Sequence, residues 1–199
     1  MVVGGQWSLT IAGWGCKQFD FTPALLSPDY PDIPVKDEVR TPDTVASTLL
    51  HAAGEYLAGD LSKKNLAHKL GIEATSPLFE TSLAQLDTRF ETLLGLVEGA
   101  NSPTVVASHV SPFNVPFDIR GQHSHDGDYH FGSVALRVAL AAAGVDACLS
   151  GHTHQRGLTA IPTTSGHSYV HNPGDAGVSS VSVSQDGTIH AEEVDVAWR

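Results

Sequence analysis

Two short apolar runs that each end in histidine constrain this chain more than any other feature. Residues 104–107 lead into Ser108-His109, and residues 145–150 lead into Gly151-His152-Thr153-His154. Each run predicts a short strand whose carboxyl end delivers imidazoles into a loop, and ligands bind at that edge of open α/β sheets. Histidine is the commonest metal ligand among side chains, so the pattern suggests a metal-dependent hydrolase.

The composition predicts one α/β domain with an ordinary apolar core. The chain has 199 residues, 41% of them hydrophobic, with 19 glycines and 11 prolines, which is long enough to bury a sizeable core. No stretch reaches the roughly 18 consecutive apolar residues that a membrane span needs. Residues 1–5 lack the pattern of a signal peptide. We therefore predict a cytoplasmic protein without membrane contact.

Charge and cysteine content exclude further classes of protein. The net charge is −11, from 22 acidic and 11 basic residues. This argues against a nucleic-acid partner, because a protein binds nucleic acid through a basic surface. The acidic excess with few lysines resembles proteins of salt-loving organisms. Cys16 and Cys148 form no CxxC pair, and Cys148, inside an apolar run, is predicted to be a buried small hydrophobe.

Apolar periodicity and turn residues predict the secondary structure. The first helix is expected to start with Thr41 as N-cap and Pro42 at its first position, and to end at Gly59. The other predicted helices cover 61–70, 76–97 and 132–143. Predicted strands cover 6–12, 104–107, 145–150, 168–171, 177–184 and 188–196, with turns at 13–16 and 185–187. Residues 16–42, which are rich in proline between 23 and 42, are predicted to form an irregular loop.

The second half of the chain, about residues 103–198, resembles the C-terminal half of calcineurin-like metallophosphoesterases. The resemblance rests on an ordered set of motifs with matching spacing. These are Ser108-His109-Val110-Ser111-Pro112, Phe117-Asp118, His130-Phe131-Gly132-Ser133, Gly151-His152-Thr153-His154 and His171-Asn172-Pro173-Gly174. It implies a two-sheet β-sandwich flanked by helices and hydrolysis of a phosphate ester at two divalent ions, Mn, Fe or Zn, by a metal-bound hydroxide.

Carried over position by position, the resemblance assigns three metal ligands. His109 and His152 would bind one ion and His154 the other. Thr153 can face away from the metals and pack or hydrogen-bond. Asn172, at a turn closed by Pro173-Gly174, would shape the rim of the site.

The resemblance also implies motifs that this sequence lacks. The N-terminal half of the family supplies Asp-x-His, Gly-Asp-x-x-Asp and Gly-Asn-His-Asp/Glu; the one partial match is Gly59-Asp60, with Lys63 where the second aspartate belongs. Residues 6–15 look like the strand after Gly-Asn-His, so we expect a domain truncated at its N-terminus. Neutral imidazoles alone do not offset two divalent cations. The truncated chain could then be inactive and self-associate through its incomplete sheet.

Weaker candidates lie near these motifs. The cluster from His123 to His130 approaches the His-x-His-x-Asp-His signature of metallo-β-lactamase-type hydrolases, but its spacing is wrong by one residue. A polar loop over the site or a solvated surface loop fits it better. His130 and Arg156 are weak catalytic candidates, and Arg120 and Arg156 could contact phosphate oxygens.

Three functions follow from these observations. The leading hypothesis is a metal-dependent phosphoric ester hydrolase whose partner is a phosphate-ester substrate. A non-catalytic remnant or interaction module is the first alternative. The second is a mononuclear metal-binding protein that uses the three histidines.

Overall fold

The computed structural model describes residues 9–15, 21, 41–100, 103–119, 129–175, 177–184 and 187–194. Predictions that concern Gln6, Cys16, Arg120 or residues 121–128 therefore lie outside the described residues. The described elements are, in chain order, β1 (Thr10–Trp14), β2 (Thr41–Pro42), α1 (Asp43–Leu57), α2 (Lys63–Lys69), α3 (Pro77–Val97), β3 (Thr104–Ser108), β4 (Tyr129–His130), α4 (Val134–Ala143), β5 (Ala147–Leu149), β6 (Gly157–Thr163), β7 (Gly166–Asn172), β8 (Val178–Val183) and β9 (Ile189–Val194).

A five-stranded mixed sheet forms the centre of the fold, in the order β1-β3-β5-β7-β6. The first four strands of this order are parallel, and β6 runs antiparallel to β7 at one edge. The register pairs Trp14 with Ser108 and Leu149 with His171, so the carboxyl ends of the parallel strands lie side by side. The predicted α/β class is confirmed, whereas β6 has no counterpart among the predicted strands.

The helices bury apolar stripes beside the sheet. α3 begins at the predicted Pro77 and buries Phe79, Leu83, Leu86 and Leu93. α4 is held at its start by Ser133, whose Oγ accepts a hydrogen bond from the backbone N–H of Leu136, and it ends at Gly144 in the left-handed conformation. None of the helices in the described part of the chain combines the length and apolarity that crossing a membrane requires.

Two local predictions are wrong. Thr41 and Pro42 do not start α1; they form β2, which pairs with β4 so that Thr41 lies opposite His130. This pairing keeps the two residues extended, and the helix begins at Asp43. Gly13 and Trp14, predicted in a turn, belong to β1 because they pair with Ala107 and Ser108 in the ladder. A strand neighbour overrides the turn preference of glycine here.

A tyrosine–aspartate contact between α1 and α3 gives a prediction about pH. The Tyr56 hydroxyl donates a 3.0 Å hydrogen bond to Asp87 Oδ2. Burial, with help from Asp87, raises the pKa of Tyr56 to about 12. The pKa of Tyr56 is higher in the folded than in the unfolded chain. The contribution of the neutral Tyr56 to the free energy of unfolding is therefore complete below pH 10 and decreases as pH rises from 10 towards 12.

We expect the phenolate absorbance of Tyr56 to appear near pH 12, as measured by the difference between wild type and Tyr56→Phe. In Asp87→Ala the same transition should move towards pH 10, because the carboxylate that opposes ionisation is gone. A Tyr56 transition near pH 10 in folded wild-type protein, with folding followed by circular dichroism, would contradict this interpretation.

Candidate metal centre

The carboxyl edge of the sheet positions the histidines that the sequence singled out. His109 directly follows β3, and its backbone N–H donates to the carbonyl oxygen of Trp14 at 3.2 Å. Ser150 directly follows β5, and its backbone N–H donates to the carbonyl oxygen of His171 at 2.8 Å. These two bonds extend the ladder past the strands. The loops that carry His109 and His152 therefore start from fixed, neighbouring points.

His109 and His152 contact each other through their ring nitrogens. Nε2 of His109 lies 3.1 Å from Nδ1 of His152, and the ring centroids are 4.9 Å apart at an interplanar angle of 67°. Such a pair can share one proton in a hydrogen bond or direct both lone pairs at one cation. If both nitrogens lay about 2.0–2.1 Å from a shared ion, their 3.1 Å separation would give a nitrogen–metal–nitrogen angle of roughly 100°. This angle suits two ligands of one ion.

The backbone of the Gly-His-Thr-His motif places Thr153 in the interior and His154 at the surface. His152 and His154 have positive φ angles of 69° and 59°. Thr153 between them is buried, and its hydroxyl donates to the carbonyl oxygen of Phe117 at 2.7 Å. The expectation that Thr153 packs or hydrogen-bonds is confirmed. Left-handed backbone costs about 1–2 kcal/mol at a residue other than glycine, and such strain clusters at functional sites.

The strain at His154 can be tested because its side chain is 58% exposed. We expect His154→Gly to be more stable than His154→Ala by about 1 kcal/mol, since only glycine adopts positive φ without a penalty. Urea unfolding followed by circular dichroism measures the difference. At Glu91, an exposed position inside α3, the order should reverse, with alanine about 1 kcal/mol more stable than glycine. Equal stabilities at position 154 would show that its backbone is unstrained.

His154 has a different partner from the other two histidines. Its Nδ1 contacts Oδ1 of Asp175, a residue in the loop after β7. Within the described ranges, no group of three or more His, Cys, Asp or Glu side chains is arranged to hold a metal ion. The donor chemistry thus fits two ligands of one ion at His109 and His152. The three-histidine set and the second ion stay predictions.

Asn172 joins the loop after β5 to the loop after β7. Its Nδ2 donates to the carbonyl oxygen of Gly151 at 2.9 Å and to the Thr153 hydroxyl at 3.0 Å. Its Oδ1 accepts from the backbone N–H of Gly174 at 3.0 Å. Because Asn172 is fully buried, these bonds fix the backbone on both sides of His152. These bonds give a physical basis for the expectation that Asn172 shapes the rim of the site.

Asp118 and His130 form a second polar cluster, in the interior. His130 Nδ1 lies 2.6 Å from Asp118 Oδ1, and neither side chain is exposed by more than 1%. Asp118 Oδ2 also accepts from the backbone N–H groups of Asn114 at 2.9 Å and Gly132 at 3.2 Å. Burial raises the pKa of Asp118, against the lowering effect of these three donors. The cluster ties the loop after β3 to β4 and the start of α4.

The two weak catalytic candidates occupy contrasting places. The enclosure of His130 gives no support to a contact with substrate, and that role stays a prediction. Arg156 is exposed in the segment before β6, where its Cβ would lie 3.2 Å from a Cβ added at Gly174. Sequence reasoning missed Asp175 as a partner of His154. Its position directly after Asn172-Pro173-Gly174, at the carboxyl edge, was the available signal.

A cavity of about 540 Å³ lies at the opposite edge of the sheet, beside Thr104 of β3, Asp146 before β5 and Gly166 of β7. Its lining includes Asp146, His167 and Tyr169. Ligands of open α/β sheets bind at the carboxyl edge instead, so this cavity is not the candidate site.

The fold and the histidine pair together define an α/β protein with a candidate metal centre at the carboxyl edge of its parallel strands. Comparisons with protein-family models, with curated proteins and with solved structures give no match. The argument for function therefore depends on the residues of the site.

Proposed function

We propose that this protein is a metal-dependent phosphoric ester hydrolase that binds a divalent transition-metal ion through His109 and His152. The observation that carries the proposal is the 3.1 Å separation of His109 Nε2 and His152 Nδ1 at the carboxyl edge of neighbouring parallel strands. Two further features support it: the strained backbone at His152 and the buried bonds of Asn172 beside it.

The chain's own residues would divide the work as follows. His109 and His152 hold the ion, which when bound supplies Lewis-acid stabilisation of charge on phosphoryl oxygens. The backbone bonds of His109 and Ser150 keep these loops in register before any ligand arrives. Such preorganisation matters because catalytic groups must hold their geometry within fractions of an ångström. The exposed Arg156 is a candidate contact for phosphate oxygens.

Metal binding by defined histidines is the test. We expect protein stripped with chelator and then titrated with Mn²⁺, Zn²⁺ or Co²⁺ to bind one ion in isothermal titration calorimetry. His109→Ala and His152→Ala should each weaken binding by more than about 100-fold, because losing a ligand costs at least as much as losing a group that orients one. His68→Ala, at an exposed position of α2, is the matched control and should bind as wild type does.

Turnover of bis-p-nitrophenyl phosphate then separates the candidate functions. Hydrolysis by the loaded wild-type protein that disappears in His152→Ala supports the hydrolase. Binding of one ion without hydrolysis would favour the mononuclear metal-binding protein. Absence of metal binding in the wild type would show that the proposal is wrong and leave the non-catalytic interaction module.

A further inference from the structure

We propose that Asp175 is a positioning residue that holds the neutral ring of His154 with its proton on Nδ1 and thereby presents Nε2 to a metal ion. The inference rests on the proposed function, since it gives His154 its place in the metal centre. The observation behind it is the contact between His154 Nδ1 and Asp175 Oδ1.

The chemistry of the two groups fixes the direction of this hydrogen bond. A carboxylate only accepts, so Nδ1 of His154 must carry the proton and Nε2 of the neutral ring keeps its lone pair. A free imidazole side chain prefers the opposite tautomer, with the proton on Nε2. Histidines that bind metals commonly donate their other ring N–H to a carboxylate, which fixes the ring and raises its basicity. Asp175 matches that partner.

The loop after β7 is shaped to bring Asp175 back towards His154. The side chain of Asn172 accepts from the backbone N–H of Gly174, which closes a tight turn. Gly174 has a φ of 75°, a conformation that glycine adopts without strain. Because Asn172 also bonds Gly151 and Thr153, the segments that carry Asp175 and His154 share one anchor. The contact thus links two parts of the chain that are fixed relative to each other.

The two histidines of the Gly-His-Thr-His motif then present different nitrogens. His152 directs Nδ1 towards His109, whereas His154 directs Nδ1 towards Asp175 and is left with Nε2. The two residues flank the buried Thr153, and both have positive φ angles. A negative carboxylate beside His154 also adds charge that neutral imidazoles lack, which favours a nearby cation.

Because both side chains are exposed, Asp175 can be replaced without destabilising the fold. The side chains of His154 and Asp175 are 58% and 74% exposed, and polar contacts between such exposed side chains contribute little to folding stability. Asp175→Ala should therefore fold as wild type does, with an unchanged urea midpoint. Asp60→Ala, at another exposed aspartate, is the matched control for loss of one negative charge.

The tautomer is measured first, in metal-free protein labelled with ¹⁵N-histidine at a pH where the ring is neutral. We expect the His154 signals, assigned with His154→Gln, to show the proton on Nδ1 in wild type and in Asp60→Ala. In Asp175→Ala the proton should move to Nε2, and Asp175→Glu should restore part of the wild-type population. A His154 ring with the same tautomer in wild type and Asp175→Ala would overturn the proposal.

The affinity for Zn²⁺ is measured next by calorimetry. Asp175→Ala should bind about 10–100-fold more weakly than wild type, the usual effect of removing a group that orients a ligand. If wild type binds Zn²⁺ and Asp175→Ala binds it within twofold as tightly, the role of Asp175 is wrong while the proposed metal centre stands. If wild type binds no Zn²⁺ although the tautomer depends on Asp175, the proposed function fails, and with it the metal-directed part of this inference.

Discussion

Replacing Asp118 by alanine is expected to lower the free energy of unfolding by about 3–5 kcal/mol, the usual range for breaking a buried pair. Three hydrogen-bond donors meet on this carboxylate: His130 Nδ1 and the backbone N–H groups of Asn114 and Gly132. Alanine would remove the acceptor that all three share, in an interior lined by the ring of Phe113, whose centroid is 5.2 Å from that of His130. Each unsatisfied buried donor costs about 1–3 kcal/mol.

The backbone around Asp118 shows how closely the cluster is packed. A Cβ added at Gly132 would lie 2.5 Å from Asp118 Oδ2 and 2.6 Å from the Cα of Phe113. Glycine at 132 therefore lets the carboxylate approach the backbone N–H that it accepts from.

Urea unfolding followed by circular dichroism measures the effect of Asp118→Ala, provided that the slope with denaturant is unchanged. Asp118→Asn keeps one acceptor oxygen and should lose less, about 1–3 kcal/mol. The matched control is Asp60→Ala at an exposed position, which should stay within about 0.5 kcal/mol of wild type. A loss below about 1 kcal/mol for Asp118→Ala would mean that the cluster does not hold this region together.

The elements that sequence predicts well here are those whose signal is local. The apolar stripe of α3 repeats at helical spacing and starts at a proline, which is compatible with the first turn. The apolar runs that precede His109 and His152 become β3 and β5 because buried parallel strands read as continuous apolar segments. Cys148 lies in one of these strands and is buried as predicted.

β6 shows why other elements escape such reading. The strand Gly157–Thr163 alternates in burial, but its exposed positions carry Leu158, Ala160 and Pro162, so the sequence shows neither apolar–polar alternation nor a continuous apolar run. It forms because it pairs with β7 along its whole length. At the edge of a sheet, a proline without an N–H is tolerated on the side that faces away from the neighbour. The conformation of β6 therefore depends on its pairing with β7 rather than on its own sequence pattern.

Some features of the candidate site could likewise be predicted from local sequence, and others could not. The positions of His109 and His152 at the ends of strands follow from local sequence, and their proximity follows from parallel pairing of β3 with β5. The contacts of His154 and His130 with Asp175 and Asp118 depend on loop conformations that no periodicity encodes. Left-handed backbone at His152 and His154 could not be predicted either, because positive φ stays uncommon in histidine although it is enriched there relative to most other residues.

Asn172→Asp is the second change with a large expected effect, about 2–4 kcal/mol of unfolding free energy by the cost of unsatisfied buried polar groups. The substitution keeps the shape of the side chain and replaces Nδ2 by an oxygen. In the ionised carboxylate, that oxygen would face the carbonyl oxygen of Gly151 at about the present 2.9 Å with no proton between them. The orientation of the amide is certain on chemical grounds, because the backbone N–H of Gly174 can bond only to Oδ1.

The consequences for Asn172→Asp should extend from stability to metal binding. Gly151 and Thr153 flank His152 in sequence, so losing their bonds to Asn172 frees the backbone that holds His152 near His109. We expect Zn²⁺ affinity to fall by about 10–100-fold, as for other losses of groups that orient ligands. Urea unfolding and calorimetry measure the two effects on the same preparation.

The matched control for this substitution is Asn65→Asp. Asn65 is exposed in the first turn of α2, where a negative charge interacts favourably with the helix N-terminus. It should change stability by less than about 0.5 kcal/mol and leave Zn²⁺ binding unchanged. If Asn172→Asp loses stability but binds Zn²⁺ as wild type does, the loop geometry is not what brings His109 and His152 together. If both properties survive, the buried bonds of Asn172 do not hold the site, and the pairing of β3 with β5 is enough to place its two histidines.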